Sequence, residues 1–465
     1  MRYIFAALFF GLSLVGQAVS EPLPGTVLDA LKLANIPLSS VSIVVQQAGA
    51  RTPLLTRNAK RAMNPASTMK LLTTFVGLDT LGPAYQWKTE AYLDGTLENG
   101  VLRGNLVFKG YGDPKLTVEQ FWLWLGELRQ RGLREIRGDI VLDRSFFEDA
   151  KNDPAEFDND PTRAYNVGPN AILLNFNALH LRLVPGAVQA NALIEPDLSG
   201  YAIKNYITTA IQQPCRGGDT YTARLVERNI VLEGTIPMDC GEVDDYFSLL
   251  PHDEYFFAVF SSLWRELGGT LRGKLREGRV PADQAAFSTR LSQPLSEVIR
   301  DINKFSNNTM ARQLFLTLGA ADGSPASIAR STMAVEQWLS ARQLQFPELV
   351  LENGAGLSRT ERISVQHLAE ILQHAARSPF SAELEASLPI LGMDGTMKKR
   401  FKDNEIAGYA HIKSGMLEGV KSIAGYVHAG DGKRWIVVFI INHPNALGGQ
   451  DAQDALIEWV QKRHS

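Results

Sequence analysis

Apolar positions recur at helical spacing over residues 26–34 (TVLDALKLA), which predicts a short amphipathic helix. Residues 41–47 are β-branched and bounded by Ser and Gly, the pattern of a strand. Asn64-Pro65-Ala66-Ser67 then forms a turn, and STMKLLTTFVGLDTLG keeps helical spacing for about four turns until Gly82-Pro83 stops it. From about residue 88 the texture changes. Short β-rich runs follow one another (AYLDGTLENGVLRGNLVFKG, IRGDIVLDRSFF, LHLRLVPG, YTARLVERNIVLEGTIP), punctuated by Gly95 and Asn99-Gly100 and interrupted by a helix at about 118–131. After about residue 288 helical periodicity returns in LSEVIRDINKFSNN, MARQLFLTLGAA, SIARSTMAVEQWLSARQL and VQHLAEILQHAARS. Strands at 423–428 and 435–442 flank the turn Ala429-Gly430-Asp431-Gly432, and a helix at about 452–463 closes the chain.

The pattern predicts an α+β fold. A helix-rich body would carry an antiparallel sheet built from both chain ends, with one or two β-rich modules inserted into it. At 465 residues, 45% apolar and 21% charged, the chain is long enough for two or three domains. Lys and Arg number 47 against 50 Asp and Glu, a balance that gives no electrostatic case for nucleic acid or an anionic membrane surface.

The first twenty residues are a different material. Arg2, the apolar run from Ile4 to Val15 and the small residues Ala18-Val19-Ser20 have the order of a secretory signal peptide, so the mature chain is expected to start at Glu21 in the periplasm. The apolar run is short for an uncleaved membrane anchor, and no later stretch is long and apolar enough to span. An exported chain with only Cys215 and Cys240 is expected to bridge them in a structural disulfide, two buried thiols being the alternative.

Three short elements carry chemistry. Ser67-Thr68-Met69-Lys70 is the only S-x-x-K, Ser306-Asn307-Asn308 the only S-x-N and Lys413-Ser414-Gly415 the only K-[ST]-G in the chain. Positions i and i+3 share a helix face, so the Ser67 hydroxyl and the Lys70 amine can touch. A serine hydroxyl attacks well only when a neighbour takes its proton. The positive end of the helix dipole and the Lys413 charge would lower the Lys70 pKa and leave it a base. Ser306 can pass a proton toward a leaving amine, and Asn308 can bond both a substrate amide and Lys70. Lys413 is expected on a strand at 409–413, where Lys413 and Ser414 suit a free carboxylate. Gly415 leaves room for a substrate to lie along the strand edge. The oxyanion hole would be the backbone N–H groups of Ser67 and Met416.

In this order the three elements are the signature of penicillin-binding serine enzymes, and the chain resembles the low-molecular-mass class C penicillin-binding proteins, the D-alanyl-D-alanine carboxypeptidase/endopeptidase family. The likeness extends to Glu352-Asn353-Gly354-Ala355-Gly356-Leu357-Ser358-Arg359, to Leu388-Pro389 with Gly392-Met393-Asp394-Gly395-Thr396, and to Arg400-Phe401. It implies a penicillin-binding/serine β-lactamase-like transpeptidase domain I at 21–87 and 288–465. Domain II would be inserted at 88–165 and 247–287, with domain III nested at 166–246. It also implies hydrolysis of peptidoglycan peptides through a Ser67 acyl-enzyme, and acylation by β-lactam antibiotics. Ser414 stands where the family usually has Thr, but the hydroxyl is kept, and Asn307 occupies a variable middle position. In relatives a domain II acid approaches the amino group of the stem-peptide side chain. Asp160, in FDNDPT, is the expected match, with Glu418 beside it at the cleft rim and Arg359 organising the cleft.

Two other readings share these residues. A serine β-lactamase would need a deacylating acid, typically in an E-x-x-L-N loop, and none lies between Asn308 and Lys413. An inactive scaffold would be expected to lack Ser67 or Lys70, and both are present. No metal and no cofactor is expected: the His residues show no H-E-x-x-H, His367 and His374 read as a helix-face pattern, and His411 reads as a structural histidine.

Overall fold

The computed structural model describes residues 21–148, 152–211, 213–215, 220–281, 283–320 and 323–463. The expected leader at 1–20 lies outside them. A five-stranded antiparallel sheet is the frame of the molecule, in the order Ala410–Leu417, Val420–His428, Arg434–Asn442, Val41–Gln47, Leu55–Arg57. The two chain ends meet at its centre, where Val41 pairs with Ile441 and Gln47 with Trp435.

These strands are apolar on both faces, so alternate side chains enter two different cores. Ile43, Val45, Val437, Phe439 and Ile441 pack with the helices Gly25–Leu33 and Gln450–Gln461. Val44, Val438, Ile440 and Ala424 point to the other side, against the helices Lys70–Leu81, Leu295–Lys304, Asn308–Leu318, Ile328–Ala341 and Val365–Arg377. The helices that begin at Lys70 and Asn308 sit on that second side.

The β-rich middle of the chain builds three further sheets. Lys88–Glu98 and Val101–Gly110 form a hairpin at the heart of a seven-stranded sheet. Ser288–Leu291, expected in the helical body, pairs with Lys88–Glu98 and so belongs to this sheet. Helices Val118–Gln130 and His252–Glu266 cover it through Phe108, Phe121, Trp124, Phe256, Phe260 and Trp264; Phe108 meets Trp124 and Phe256 edge-on, and Phe260 stacks on Trp264. Two three-stranded sheets follow, one of Leu179–Val184, Asn191–Glu195 and Val243–Phe247, the other of Ala202–Ala210, Tyr221–Val226 and Asn229–Pro237. Cys215 and Cys240 are bridged there. Among the described residues no helix is long and apolar enough to cross a membrane.

Candidate active site

Ser67 is presented by a strained, pinned turn. Ala66 has φ 46°, left-handed for a residue with a side chain. The turn is held from the sheet: Asn442 accepts from Asn64 N at 2.8 Å and donates to Asn64 O at 3.0 Å, while Ser422 Oγ donates to Pro65 O at 2.6 Å. Ser67 lies in a 3₁₀ turn, Ala66–Met69, and the α-helix begins only at Lys70. That departs from the expected α-helical start, and it serves the contact better. In a 3₁₀ turn residues i and i+3 eclipse each other, and Lys70 Nζ stands 3.0 Å from Ser67 Oγ.

Lys70 is fully buried. Its Nζ also donates to Asn308 Oδ1 at 2.7 Å and to the Ala355 carbonyl. Burial holds its pKa well below the ordinary lysine value; the charge of Lys413 adds to this, Glu361 opposes it and Arg312 adds a little more. The direction agrees with the sequence reading, but loss of hydration leads and the neighbouring lysine comes second.

Ser306 and Asn308 come from the corner between two helices. Ser306 has φ 58°, which turns the chain sharply after Lys304. Asn307 is more than a variable spacer: its side chain accepts from Met310 N at 2.9 Å and caps the helix on which Asn308 sits. Lys413, also fully buried, donates to Ser306 Oγ at 2.9 Å and to Ser414 O at 2.7 Å. Burial pushes its pKa down to about 7.

The strand carrying Lys413 extends through Gly415 to Leu417, longer than the expected 409–413, and forms the edge of the five-stranded sheet. Gly415 lies against the Ser67 turn. A Cβ there would stand 2.4 Å from Ser422 Oγ and 2.8 Å from Ser67 N. Only glycine lets the edge strand approach the Ser67 turn so closely.

Ser67, Ser306, Asn308, Ser414, Gly415 and Met416 line one cleft of about 690 Å³, with Arg359, Glu418, Tyr165 and Asp158 on its outer walls. Arg359 stacks over Phe157 at 4.6 Å and donates to Glu418 O at 3.1 Å, so it ties the inserted 157–165 loop to the end of the edge strand. Glu418 itself is almost fully exposed and lies 3.5 Å from Arg359. Asp160 is placed differently from the expectation. Its carboxylate turns back into its own loop, accepting from Thr162 N, Thr162 Oγ1 and Arg163 Nε, whereas Asp158 lines the cleft.

The sequence reading passed over two positioning residues. Glu361, fully buried, accepts from the amides of Glu352, Asn353, Gly354 and Gly356, and so shapes the loop whose Ala355 carbonyl meets Lys70. Its only signal was an acid close behind a glycine-rich turn whose amides need an acceptor. Lys304 bonds Leu388 O and Asp394 and thereby holds the 388–396 segment, from which Thr396 Oγ1 reaches Ser414 Oγ at 2.7 Å.

Residues 26–463 match the model of the D-Ala-D-Ala carboxypeptidase 3 (S13) family. The chain is 26% identical to the D-alanyl-D-alanine carboxypeptidase DacB of Haemophilus influenzae, over 87% of this chain and 85% of that protein. It is also 26% identical to a D-alanyl-D-alanine carboxypeptidase of Actinomadura sp. strain R39, covering 88% and 79%. The fold matches the crystal structure of penicillin binding protein 4 from H. influenzae with a TM-score of 0.77 at 24% identity, over 94% of this chain and 99% of that one. A serine and a lysine in contact, a second lysine bonded to Ser306, which lines the same cleft as Ser67, and a match running nearly end to end lead to one assignment: the chain belongs to the D-Ala-D-Ala carboxypeptidase 3 (S13) family of serine-type carboxypeptidases.

Proposed function

We infer that Ser67 is the nucleophile of a D-alanyl-D-alanine carboxypeptidase that also cuts D,D cross-links, acting on peptidoglycan stem peptides. The observation that carries this is the hydrogen bonding around Lys70 Nζ. A neutral amine has two N–H bonds, which Asn308 Oδ1 and Ala355 O accept, leaving its lone pair toward Ser67 Oγ. The Ser67 proton passes to Nζ as Oγ attacks the carbonyl of the penultimate D-alanine. The oxyanion that forms is held by the amides of Ser67 and Met416. The proton then travels by way of Ser306 to the leaving amine, the C–N bond breaks, and water later releases the acyl group.

Lys413 and Ser414 receive the terminal carboxylate, and the substrate adds as a strand beside Gly415. The wall carrying Asp158 would face the ammonium of a stem-peptide side chain, with Asp160 in the loop behind it. Penicillin acylates Ser67 by the same attack and leaves slowly. Work on cell-wall peptide lies outside the cytoplasmic membrane, in keeping with the secretory pattern of residues 1–20.

Fluorescent penicillin applied to the wild type and to Ser67→Ala tests the assignment. Label on the wild type alone is expected; an unlabelled wild type, or a labelled Ser67→Ala, overturns it. A digest of purified sacculi with the products weighed separates loss of one alanine from splitting of cross-linked dimers. Comparing Asp158→Asn with Asp160→Asn on amino-bearing and N-acylated peptides shows which acid serves the ammonium.

A further inference from the structure

The active-site sheet carries a second group of chemistry-bearing side chains, assembled from positions too far apart to form a sequence motif. His411 lies on the edge strand two residues before Lys413, His428 ends the neighbouring strand, and Glu385 comes from the helix Ser381–Ser387. One donor atom from each of the three lies within 4.8 Å of the other two.

The surrounding bonds are those of a ligand set. His411 Nδ1 stands 3.1 Å from the Glu385 carbonyl, so Nδ1–H donates there and the lone pair is left on Nε2. Arg434 Nη1 donates to Glu385 Oε2 at 2.6 Å, which orients the carboxylate and leaves Oε1 toward the imidazoles. His428 Nε2 meets that Oε1 at 2.7 Å. Lys304, the nearby buried ammonium, is paired with Asp394 at 2.6 Å. The His428 side chain is 40% exposed, which gives an ion a way in, while Glu385 is 14% exposed.

We propose that Glu385, His411 and His428 bind one divalent ion of the zinc class as a structural clamp beside the catalytic strand. Two imidazoles, one carboxylate oxygen and a water make the four-coordinate set that zinc prefers, with bonds of about 2.0–2.2 Å. Such bonds set donor atoms about 3.3 Å apart, so small side-chain rotations complete the site. Uptake replaces the His428–Glu385 hydrogen bond by one bond from each group to the ion, the neutral imidazole of His428 binding through Nε2 with its proton on Nδ1. The ion would join both strands to the helix that leads into the 388–396 segment, and so brace the wall where Thr396 meets Ser414.

Titration of the mature chain with zinc chloride against a chromophoric chelator tests the clamp. One equivalent is expected to bind, and zinc should raise the melting temperature. His411→Ala and His428→Gln, the latter keeping a bond to Glu385, should each weaken binding by at least about tenfold while retaining fluorescent-penicillin labelling as a check of the fold. A zinc-edge anomalous peak among the three side chains should appear in wild-type crystals. No zinc held by the wild type, binding that both variants leave unchanged, or a peak elsewhere overturns the proposal. Loss of penicillin labelling from the wild type would instead count against the proposed function and leave the clamp standing.

Discussion

Lys70 and Lys413 are both driven toward neutrality by burial, yet their proposed tasks require opposite charge states. Lys70 accepts a proton and so works neutral; its depressed pKa extends activity toward lower pH. Lys413 receives a carboxylate and so works charged. With its pKa near 7 the ammonium is lost as pH rises through that value. The kcat/KM for release of D-alanine, which reports the free enzyme, is therefore expected to decline above pH about 7. Lys413→Arg should move that decline upward, because a guanidinium stays charged. A pH profile with no decline up to pH 9, measured on the wild type, would contradict this assignment of charge. The meeting of Ser67, Lys70, Ser306, Asn308 and Lys413 was legible because the proposed chemistry demands particular residue types at fixed local spacings. Glu361 was not. Its amide partners lie five to nine residues before it along the chain, with no repeated spacing to betray them.

At the level of elements, close approach explains both the strong and the weak parts of the sequence reading. The edge strand, expected at 409–413, runs on to Leu417, and Gly415 is the place where it touches the Ser67 turn. Gly415→Ala is expected to slow penicillin acylation by about 100-fold and, because its Cβ presses on the backbone of the Ser67 turn, to lower the melting temperature by a few degrees, checked by stopped-flow acylation beside a thermal scan. The helix His252–Glu266 was not separated from the β-rich stretch around it. Tyr255, Phe256, Phe257, Phe260 and Trp264 crowd its sequence, and aromatic residues are also good strand formers, which masks the helical period.

A second element-scale consequence lies where the inserted sheet meets the helical body. Asp113, only 3% exposed, accepts from Lys115 N, and burial pushes its pKa up to about 7. With the folded value above the unfolded one, Asp113 favours folding fully below pH about 4, and that contribution is lost as pH rises through about 7. Asp113→Asn keeps an acceptor but cannot ionise. It should melt several degrees above the wild type at pH 8 and close to it at pH 4.

Over the whole molecule, the sequence revealed a helical body interrupted by β-rich insertion because periods of 3.6 and 2 are written locally. It did not reveal where the insert's sheet ends: Ser288–Leu291 returns to a strand begun two hundred residues earlier. Such pairing leaves no mark in the nearby sequence. The Cys215–Cys240 bridge closes a 25-residue separation within the small sheets, and neither cysteine lines the cleft. Replacing both cysteines by serine should lower stability by roughly 3 kcal/mol in the chain-entropy model and leave the acylation rate unchanged, measured by denaturant melts and penicillin kinetics.

The pairing of Val41–Gln47 with Arg434–Asn442 has a consequence for biosynthesis. The first strand of this ladder finds its main partner only some four hundred residues later along the chain, so it stays without that partner until residues 434–442 are present. A ribosome-stalled or proteolytically shortened product ending before residue 434 would expose a long apolar edge and be suited to degradation. Competence to react would then arrive only once residues 434–442 are in place.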